Sequence, residues 1–216
     1  QFVRQHYGER HQLRCFFDVT LGREDLRQLG IVLAAGAGLA ASLALMAALF
    51  GVRADFGDAF VAVLLKVGFG LAAAAAAAPL LLELARPNTR ARHVAIPAFL
   101  FAAASTAIAF LAFLVTPAEA RMESWLGGGV PECLYRIPLL AAPIAIALFL
   151  AVRGLGPTRL SLAGAAIGAV SGSLAAIAYA SCCPMDSALY VASWYLAAIL
   201  FCAAVGAVLV GRALKW

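Results

Sequence analysis

Residues 160–180 read LSLAGAAIGAVSGSLAAIAYA, a run of 21 residues without a charged side chain. A helix that rises 1.5 Å per residue needs about 20 such residues to cross the hydrocarbon of a bilayer. The next segment, residues 181–187, reads SCCPMDS and is short and polar. The pattern predicts a transmembrane helix that ends in a loop carrying two neighbouring thiols.

The composition of the whole chain indicates the same environment. Of the 216 residues, 64% are hydrophobic and only 12% are charged, whereas about a quarter of the residues of a soluble domain are charged. The net charge of +5 comes from Lys and Arg between apolar runs and not from one basic stripe. The basicity therefore indicates membrane topology rather than nucleic-acid binding.

Five further apolar runs predict an all-α membrane protein, a bundle of six transmembrane helices. The predicted spans are residues 29–50, 60–82, 94–115, 137–152, 160–180 and 188–210. Residues 1–28 then form an amino-terminal arm, and residues 29–216 form one membrane domain. The fourth span is short and carries two prolines, so residues 133–136 are an alternative first turn for it.

The distribution of basic residues orients the bundle. Twelve Lys and Arg lie on the side that carries both termini, against three on the opposite side, Arg53, Arg121 and Arg136. Because cytoplasmic segments are the ones enriched in Lys and Arg, we expect both termini in the cytoplasm. The loops after the first, third and fifth spans are then extracytoplasmic.

That topology places three of the five cysteines outside the cytoplasm. Cys133 lies at the end of the loop after the third span, and Cys182 and Cys183 lie in the loop after the fifth. Neighbouring cysteines rarely bond to each other because the peptide between them would be strained, so one of these two is available to Cys133. Chance placement, a structural disulfide and a pair that changes state with oxidants or soft metals all fit these positions.

Two features of the spans have competing interpretations. Lys66 is the one charged residue inside a predicted span; its ammonium either reaches the membrane surface, which is the commoner arrangement, or pairs internally with a carboxylate such as Asp58. Gly164, Gly168 and Gly172 recur at every fourth position, which permits close helix contact. We expect a contact within the chain, with a homodimer seam as the alternative.

Several functional classes lack their motifs. The sequence has no CxxC, no zinc-type cysteine spacing, no phosphate loop, no catalytic triad and no paired carboxylates within a span. We therefore expect no enzyme activity and no cofactor, and no metal site is established. A small membrane transporter or metal-handling membrane protein is the alternative function, although the spans supply few polar residues for it.

The carboxy-terminal half resembles a known family, the NrsF-type (negative regulator of sigma-F) integral-membrane anti-sigma factors. The shared features, in order, are CLYRIPLLAAPIAI at 133–146, PTR at 157–159, the glycine-rich span, CP-x-D-S at 183–187 and WY at 194–195. Lys66 and the ARP turn at 85–87 fit more loosely. The resemblance covers residues 25–216.

The resemblance implies a function and a site. Members of this family are six-span proteins of the bacterial inner membrane that hold an extracytoplasmic-function sigma factor and release it under stress, including heavy-metal stress. Two periplasmic cysteines are implicated, and their positions here are Cys133 and Cys183, with Cys182 as an extra thiol. The implied partners are the sigma factor at the cytoplasmic face and membrane lipids, without direct nucleic-acid binding.

The amino-terminal arm departs from the family pattern. Residues 1–17 read QFVRQHYGERHQLRCFF and are basic, whereas the family usually has an acidic-apolar helix there. The start is either truncated and replaced or divergent. No sigma-binding residue is carried over to this sequence.

Overall fold

The computed structural model describes residues 22–84, 91–127, 132–155 and 159–213, and within these ranges the chain is helical with no strand. Its main helices are α1 (Arg23–Leu49), α2 (Phe60–Leu84), α3 (Ile96–Val115), α4 (Ala118–Leu126), α5 (Cys133–Val152), α6 (Leu160–Ala180) and α7 (Ala188–Val210). All except the short α4 are long and apolar enough to cross a membrane. The prediction of an all-α chain with six membrane-length helices is confirmed.

Most helix bounds agree with the apolar runs. α6 and α7 have the predicted bounds, and α2 and α3 each differ by two residues at one end. α1 begins at Arg23, so the described part of the predicted arm is already helical. Residues 1–21, the ARP turn at 85–87 and residues 157–158 of the PTR turn lie outside the described residues.

Helix α5 begins earlier than residue 137, the predicted start of the fourth span. It starts at Cys133, which therefore lies in a helix and not in the preceding loop. An ion pair of 2.6 Å between Glu132 and Arg136, one helical turn apart, stabilises this start. The Arg136 guanidinium also lies 4.7 Å from the centre of the Phe50 ring. The alternative in which residues 133–136 form the first turn is the correct one.

Helix α6 lies at the centre of the bundle. In its most apolar segment 61% of the residues are buried, against 6% for the peripheral α3. α2, α5 and α7 pack along α6, and α1 packs mainly on α5. The small side chains of α6 explain its central position, because they let neighbouring backbones approach closely.

The glycines of α6 form a seam with α7. A Cβ atom on Gly168 would collide with the backbone of Cys202, and one on Gly206 would collide with the carbonyl of Gly164. Cys202 itself is buried in this seam, as expected of an apolar packing residue. The contact within the chain is therefore confirmed, and α7 occupies the surface that a dimer seam would need.

Gly168→Ala is expected to destabilise the bundle by about 1–3 kcal/mol, because the new methyl group overpacks a backbone contact. Gly36→Ala on α1 is the matched control, since a Cβ there meets nothing within 4 Å. Thermal or denaturant unfolding of the two variants in detergent measures the difference. Equal stability of the two variants would contradict the close contact between α6 and α7.

The loops that carry the candidate residues meet at one end of the bundle. We call this end, opposite the described termini, the distal end; it comprises residues 50–59, 116–127 and 181–187 with the adjoining helix turns at 133–136 and 188–195. Its segments touch one another, since the Arg53 amide donates to the carbonyl of Ser181 (3.2 Å) and the Trp194 indole donates to the carbonyl of Trp125 (2.8 Å).

Candidate functional site

Residues 181–187, which we call the thiol loop, are fixed to the helices on both sides. The amides of Cys182 and Cys183 both donate to the carbonyl of Tyr179 at 3.1 Å, so the chain turns sharply at the end of α6. The amide of Val191 donates to the carbonyl of Ser187 (3.0 Å) and opens α7. These bonds set the position of each sulfur atom.

The structure brings Cys133 and Cys183 together. Both are completely buried free thiols of the same core cluster. The Cys133 thiol lies 3.4 Å from the hydroxyl oxygen of Tyr190, and the Cys183 thiol lies 3.8 Å from the carbonyl oxygen of Met185. Cys133 and Cys183 are thus not the loop-exposed thiols that their sequence positions suggested, because the start of α5 and the ends of α6 and α7 enclose them.

Cys182 has a different environment from its neighbour. Its thiol donates to the carbonyl of Tyr179 at 3.3 Å, and the residue is only partly buried. Burial is the main cause that raises the pKa of the Cys182 thiol to about 11, with a smaller contribution from the neighbouring Cys183. The geometry therefore groups Cys183 with Cys133 and leaves Cys182 outside the pair.

Three tyrosines surround the thiol pair and were not identified from the sequence. Tyr179 and Tyr195 have ring centres 5.9 Å apart, the hydroxyl of Tyr190 lies 3.4 Å from the Cys133 thiol, and all three rings belong to the same core cluster as the two thiols. The hydroxyl of Tyr195 is buried beside the side chain of Cys183. We call the two thiols and these three rings the thiol pocket. Their positions in the sequence could have identified them, because all three tyrosines flank the thiol loop.

Lys66 is buried on α2 and lies beside the thiol loop. The residue is 1% exposed, so the favoured expectation of an ammonium at the membrane surface is wrong. Its Nζ donates to Oδ1 of Asp186 at 2.6 Å and to the carbonyl oxygen of Cys183 at 2.8 Å. The internal pairing is correct, but the partner is Asp186 and not Asp58.

Arg53 binds the same two acceptors from another side. Its guanidinium donates to both carboxylate oxygens of Asp186, at 2.9 and 3.2 Å, and to the carbonyl oxygen of Cys183 at 3.1 Å. It also forms a bidentate pair with Asp55, at 2.7 and 2.8 Å. We call Lys66, Arg53, Asp186 and the Cys183 carbonyl the clamp.

The electrostatics of the clamp favour its charged form. Partial burial alone would raise the pKa of Asp186, but hydrogen bonds from Arg53 and Lys66 outweigh it and lower the pKa below its ordinary value. Hydrogen bonds to Asp55 and Asp186 raise the pKa of Arg53, and the bond from Arg53 lowers the pKa of Asp55. All three groups are therefore ionised at neutral pH.

Helix α4 covers the site from the distal side. Trp125 stacks on Trp194 of α7 with ring centres 5.6 Å apart, and the indole of Trp194 donates to the carbonyl of Trp125. Gly127, in the left-handed conformation at φ 64°, ends α4 against the side chain of Met185. A larger residue at this position would displace the flexible end of the Met185 side chain.

The site contains few ligands for a metal ion. Within the described parts of the chain, no group of three or more His, Cys, Asp or Glu side chains is arranged to hold one. The Cys133 and Cys183 thiols are a two-ligand set of the soft type. Chemically, the arrangement can form a disulfide or bind a soft cation through two sulfur atoms.

Cys182 is expected to react with a maleimide about 100-fold more slowly at pH 8 than a free cysteine does, because only the thiolate reacts and its pKa is raised. The rate should rise about tenfold per pH unit from pH 7 to pH 9, since that range lies below the pKa. Residue-resolved mass spectrometry of the reduced protein in detergent measures it, with unfolded protein as the control. A rate equal to that of the unfolded chain would contradict the burial of Cys182.

The fold and the site define the class of protein: over its described residues the chain is helical, with six membrane-length helices and a buried thiol pocket at one end of the bundle. Residues 18–216 match the sequence model of the family described as "NrsF: Negative regulator of sigma F". The chain therefore belongs to the NrsF family, as its resemblance implied. This family is regulatory rather than catalytic.

Two relatives carry the same description. The chain is 36% identical over 188 residues to a probable anti-sigma-F factor NrsF of Azospira oryzae, covering 85% of this chain and 87% of the relative. It is 30% identical over 206 residues to the anti-sigma-F factor NrsF of Caulobacter vibrioides, covering 92% of each. No solved structure matches the chain.

Proposed function

We propose that the chain is a membrane-bound anti-sigma factor. It holds an extracytoplasmic-function sigma factor at the cytoplasmic face of the bacterial inner membrane and releases it when Cys133 and Cys183 are oxidised or bind a heavy metal. Family membership supports the regulatory role. The observation that carries the sensing role is the burial of these two thiols, from separate helical segments, in one pocket.

The proposed orientation places the distal end outside the cytoplasm. It rests on the excess of Lys and Arg at the opposite end. The three arginines of the distal end are each engaged locally: Arg53 by two carboxylates, Arg121 by the Thr116 carbonyl and Arg136 by Glu132. Each basic side chain of the distal end therefore has a partner within the protein.

The proposed redox step is the two-electron oxidation of the two thiols by an external oxidant. Each thiol loses a proton, the pair transfers two electrons to a two-electron oxidant, and one S–S bond forms between Cys133 and Cys183. Alternatively, both thiols lose their protons and bind one soft cation. Either product differs in shape from two packed thiols, and a fully packed pocket cannot absorb such a change without rearranging.

Signal transfer needs two arrangements of the helices that differ by only a few kcal/mol, so that the state of the pocket decides between them. The pocket joins α5, through Cys133, to the end of α6 and the start of α7. A change in the pocket therefore alters how these three helices pack. Their opposite ends face the proposed binding site of the sigma factor.

Purification of the full chain from membranes tests the proposal. We expect a sigma factor to co-purify from untreated cells and to be lost after brief treatment with a disulfide-forming oxidant or cadmium. Cys202→Ala is the matched control, because this thiol lies in the α6–α7 seam and not in the pocket; it should lose the sigma factor as the wild type does. Absence of a sigma factor from untreated membranes would overturn the anti-sigma role, and its retention after treatment would overturn the sensing role.

A further inference from the structure

We infer that Lys66 and Asp186 are positioning residues that transmit the state of Cys183 from the thiol loop to α2. This inference rests on the proposed function and adds to it a route away from the pocket. The observation that supports this inference is the geometry of the clamp and not the chemistry of the thiols.

The two cations of the clamp come from different segments but share their acceptors. Lys66 lies on α2 and Arg53 lies in the preceding turn, and both donate to the Asp186 carboxylate and to the Cys183 carbonyl oxygen. The second acceptor is the main-chain oxygen of the residue whose thiol lies in the pocket. Movement of residue 183 therefore changes the distances from its carbonyl oxygen to the Lys66 ammonium and to the Arg53 guanidinium.

Residue 183 has partners on two helices. Its sulfur lies in the pocket with Cys133 of α5, whereas its carbonyl oxygen accepts a hydrogen bond from Lys66 of α2. A covalent or metal-bridged link to Cys133 draws residue 183 towards α5. The hydrogen bonds to Lys66 then lengthen, unless α2 moves as well.

Burial makes Lys66 depend on these acceptors. An ammonium that is 1% exposed on a membrane-length helix must keep its partners, because lipid cannot replace them and little water reaches it. Among the residues that the structure describes, Asp186 and Cys183 accept hydrogen bonds from it. α2 is therefore coupled to the thiol loop more tightly than an apolar helix would be.

Helix α2 can carry this displacement along the bundle. It packs against α6 through a close backbone contact, since a Cβ on Gly70 would lie 3.1 Å from the carbonyl oxygen of Ser173. Its buried face continues through Ala73, Ala77 and Leu81 to Leu84 at the opposite end. A shift of α2 at Lys66 therefore reaches the end of the bundle that carries the termini.

The test compares Lys66→Met with the wild type in cells that carry a reporter for the sigma factor. Two quantities are measured after oxidant treatment: reporter output, and the loss of free thiols at Cys133 and Cys183 by mass spectrometry. Lys66→Met should repress the reporter and oxidise its thiols as the wild type does, but its induction should fall about tenfold. Lys66→Arg should retain most of the induction, because it keeps a donor cation.

Two further variants complete the comparison. Arg121→Met is the matched control, since Arg121 is a distal cation outside the clamp, and it should respond as the wild type does. The double variant Lys66→Met/Asp186→Asn removes both charges together and should behave as Lys66→Met does. It keeps the test decisive if the single variant does not accumulate in the membrane.

Wild-type induction in Lys66→Met or in Lys66→Met/Asp186→Asn, with normal thiol oxidation, would overturn the inference and leave the proposed function intact. Normal induction in Cys133→Ser/Cys183→Ser would instead overturn the sensing function and the inference with it. A fall in induction that Arg121→Met shares would also overturn the inference, because the effect would then not belong to the clamp.

Discussion

Asp186→Asn is expected to release the sigma factor without any stress and to raise basal reporter output about tenfold or more. The substitution leaves the buried ammonium of Lys66 with no carboxylate partner. Removing one partner of a buried ion pair destabilises a protein by about 3–5 kcal/mol. We take about 3 kcal/mol here, at the low end of that range, because the side chain of Asp186 is 37% exposed.

The released state is favoured in this variant because the ammonium of Lys66 is buried in the arrangement that holds the sigma factor, and its burial without a carboxylate partner destabilises that arrangement. Asp55→Asn is the matched control: it removes a carboxylate from the same arginine, but one that is largely exposed and does not contact Lys66. Its reporter output should stay near that of the wild type. Equal output from the two variants would show that the pairing of Lys66 with Asp186 does not decide between the two states.

A second substitution separates the loss of Asp186 from simple unfolding. Lys66→Met/Asp186→Asn should return to the repressed level, because removing the ammonium removes the unpaired buried charge. Membrane levels of all variants are compared by immunoblot. Persistence of high output in the double variant would contradict the explanation by an unpaired Lys66.

Cys133→Ser/Cys183→Ser is expected to abolish induction by oxidants and by cadmium while leaving basal repression intact. Serine is close in size to cysteine, so the packing of the pocket changes little, but its hydroxyl forms no disulfide and is a poor ligand for soft cations. Reporter output is measured before and after treatment at equal membrane levels of the protein. Induction that survives in this variant would remove the thiol pocket from the mechanism.

Cys182→Ser is the matched control for this experiment. Its sulfur faces the Tyr179 carbonyl and lies outside the pair, so most of the induction should remain. A loss as large as that caused by Cys183→Ser alone would assign the reactive thiol to Cys182. That result would contradict the grouping of Cys183 with Cys133.

Features set by local composition were predictable from the sequence. The bounds of α6 and α7 follow from where apolar residues stop, and the contact between α6 and α7 follows from glycines at every fourth position. The proximity of Cys133 and Cys183 was also expected once the topology placed them on one side. Each of these predictions depends only on the residues of one segment or on the count of Lys and Arg on each side.

Features set by contacts between distant segments were not predictable. Asp58 was the nearest carboxylate to Lys66 across a turn, yet Asp186 is the partner because the thiol loop folds over α2. The stacking of Trp125 on Trp194 likewise depends on how two loops meet. Cys133 was assigned to a loop because apolarity begins at residue 137, whereas the Glu132–Arg136 pair extends the helix to it.

The central claim is that the state of Cys133 and Cys183 controls binding of the sigma factor. The most direct measurement uses the purified full chain in lipid nanodiscs with bound sigma factor, and follows release while the pair is oxidised and then reduced. The account predicts release in proportion to the fraction of molecules with both thiols oxidised, and rebinding after reduction. A sigma factor that stays bound while the pair is fully oxidised would contradict it.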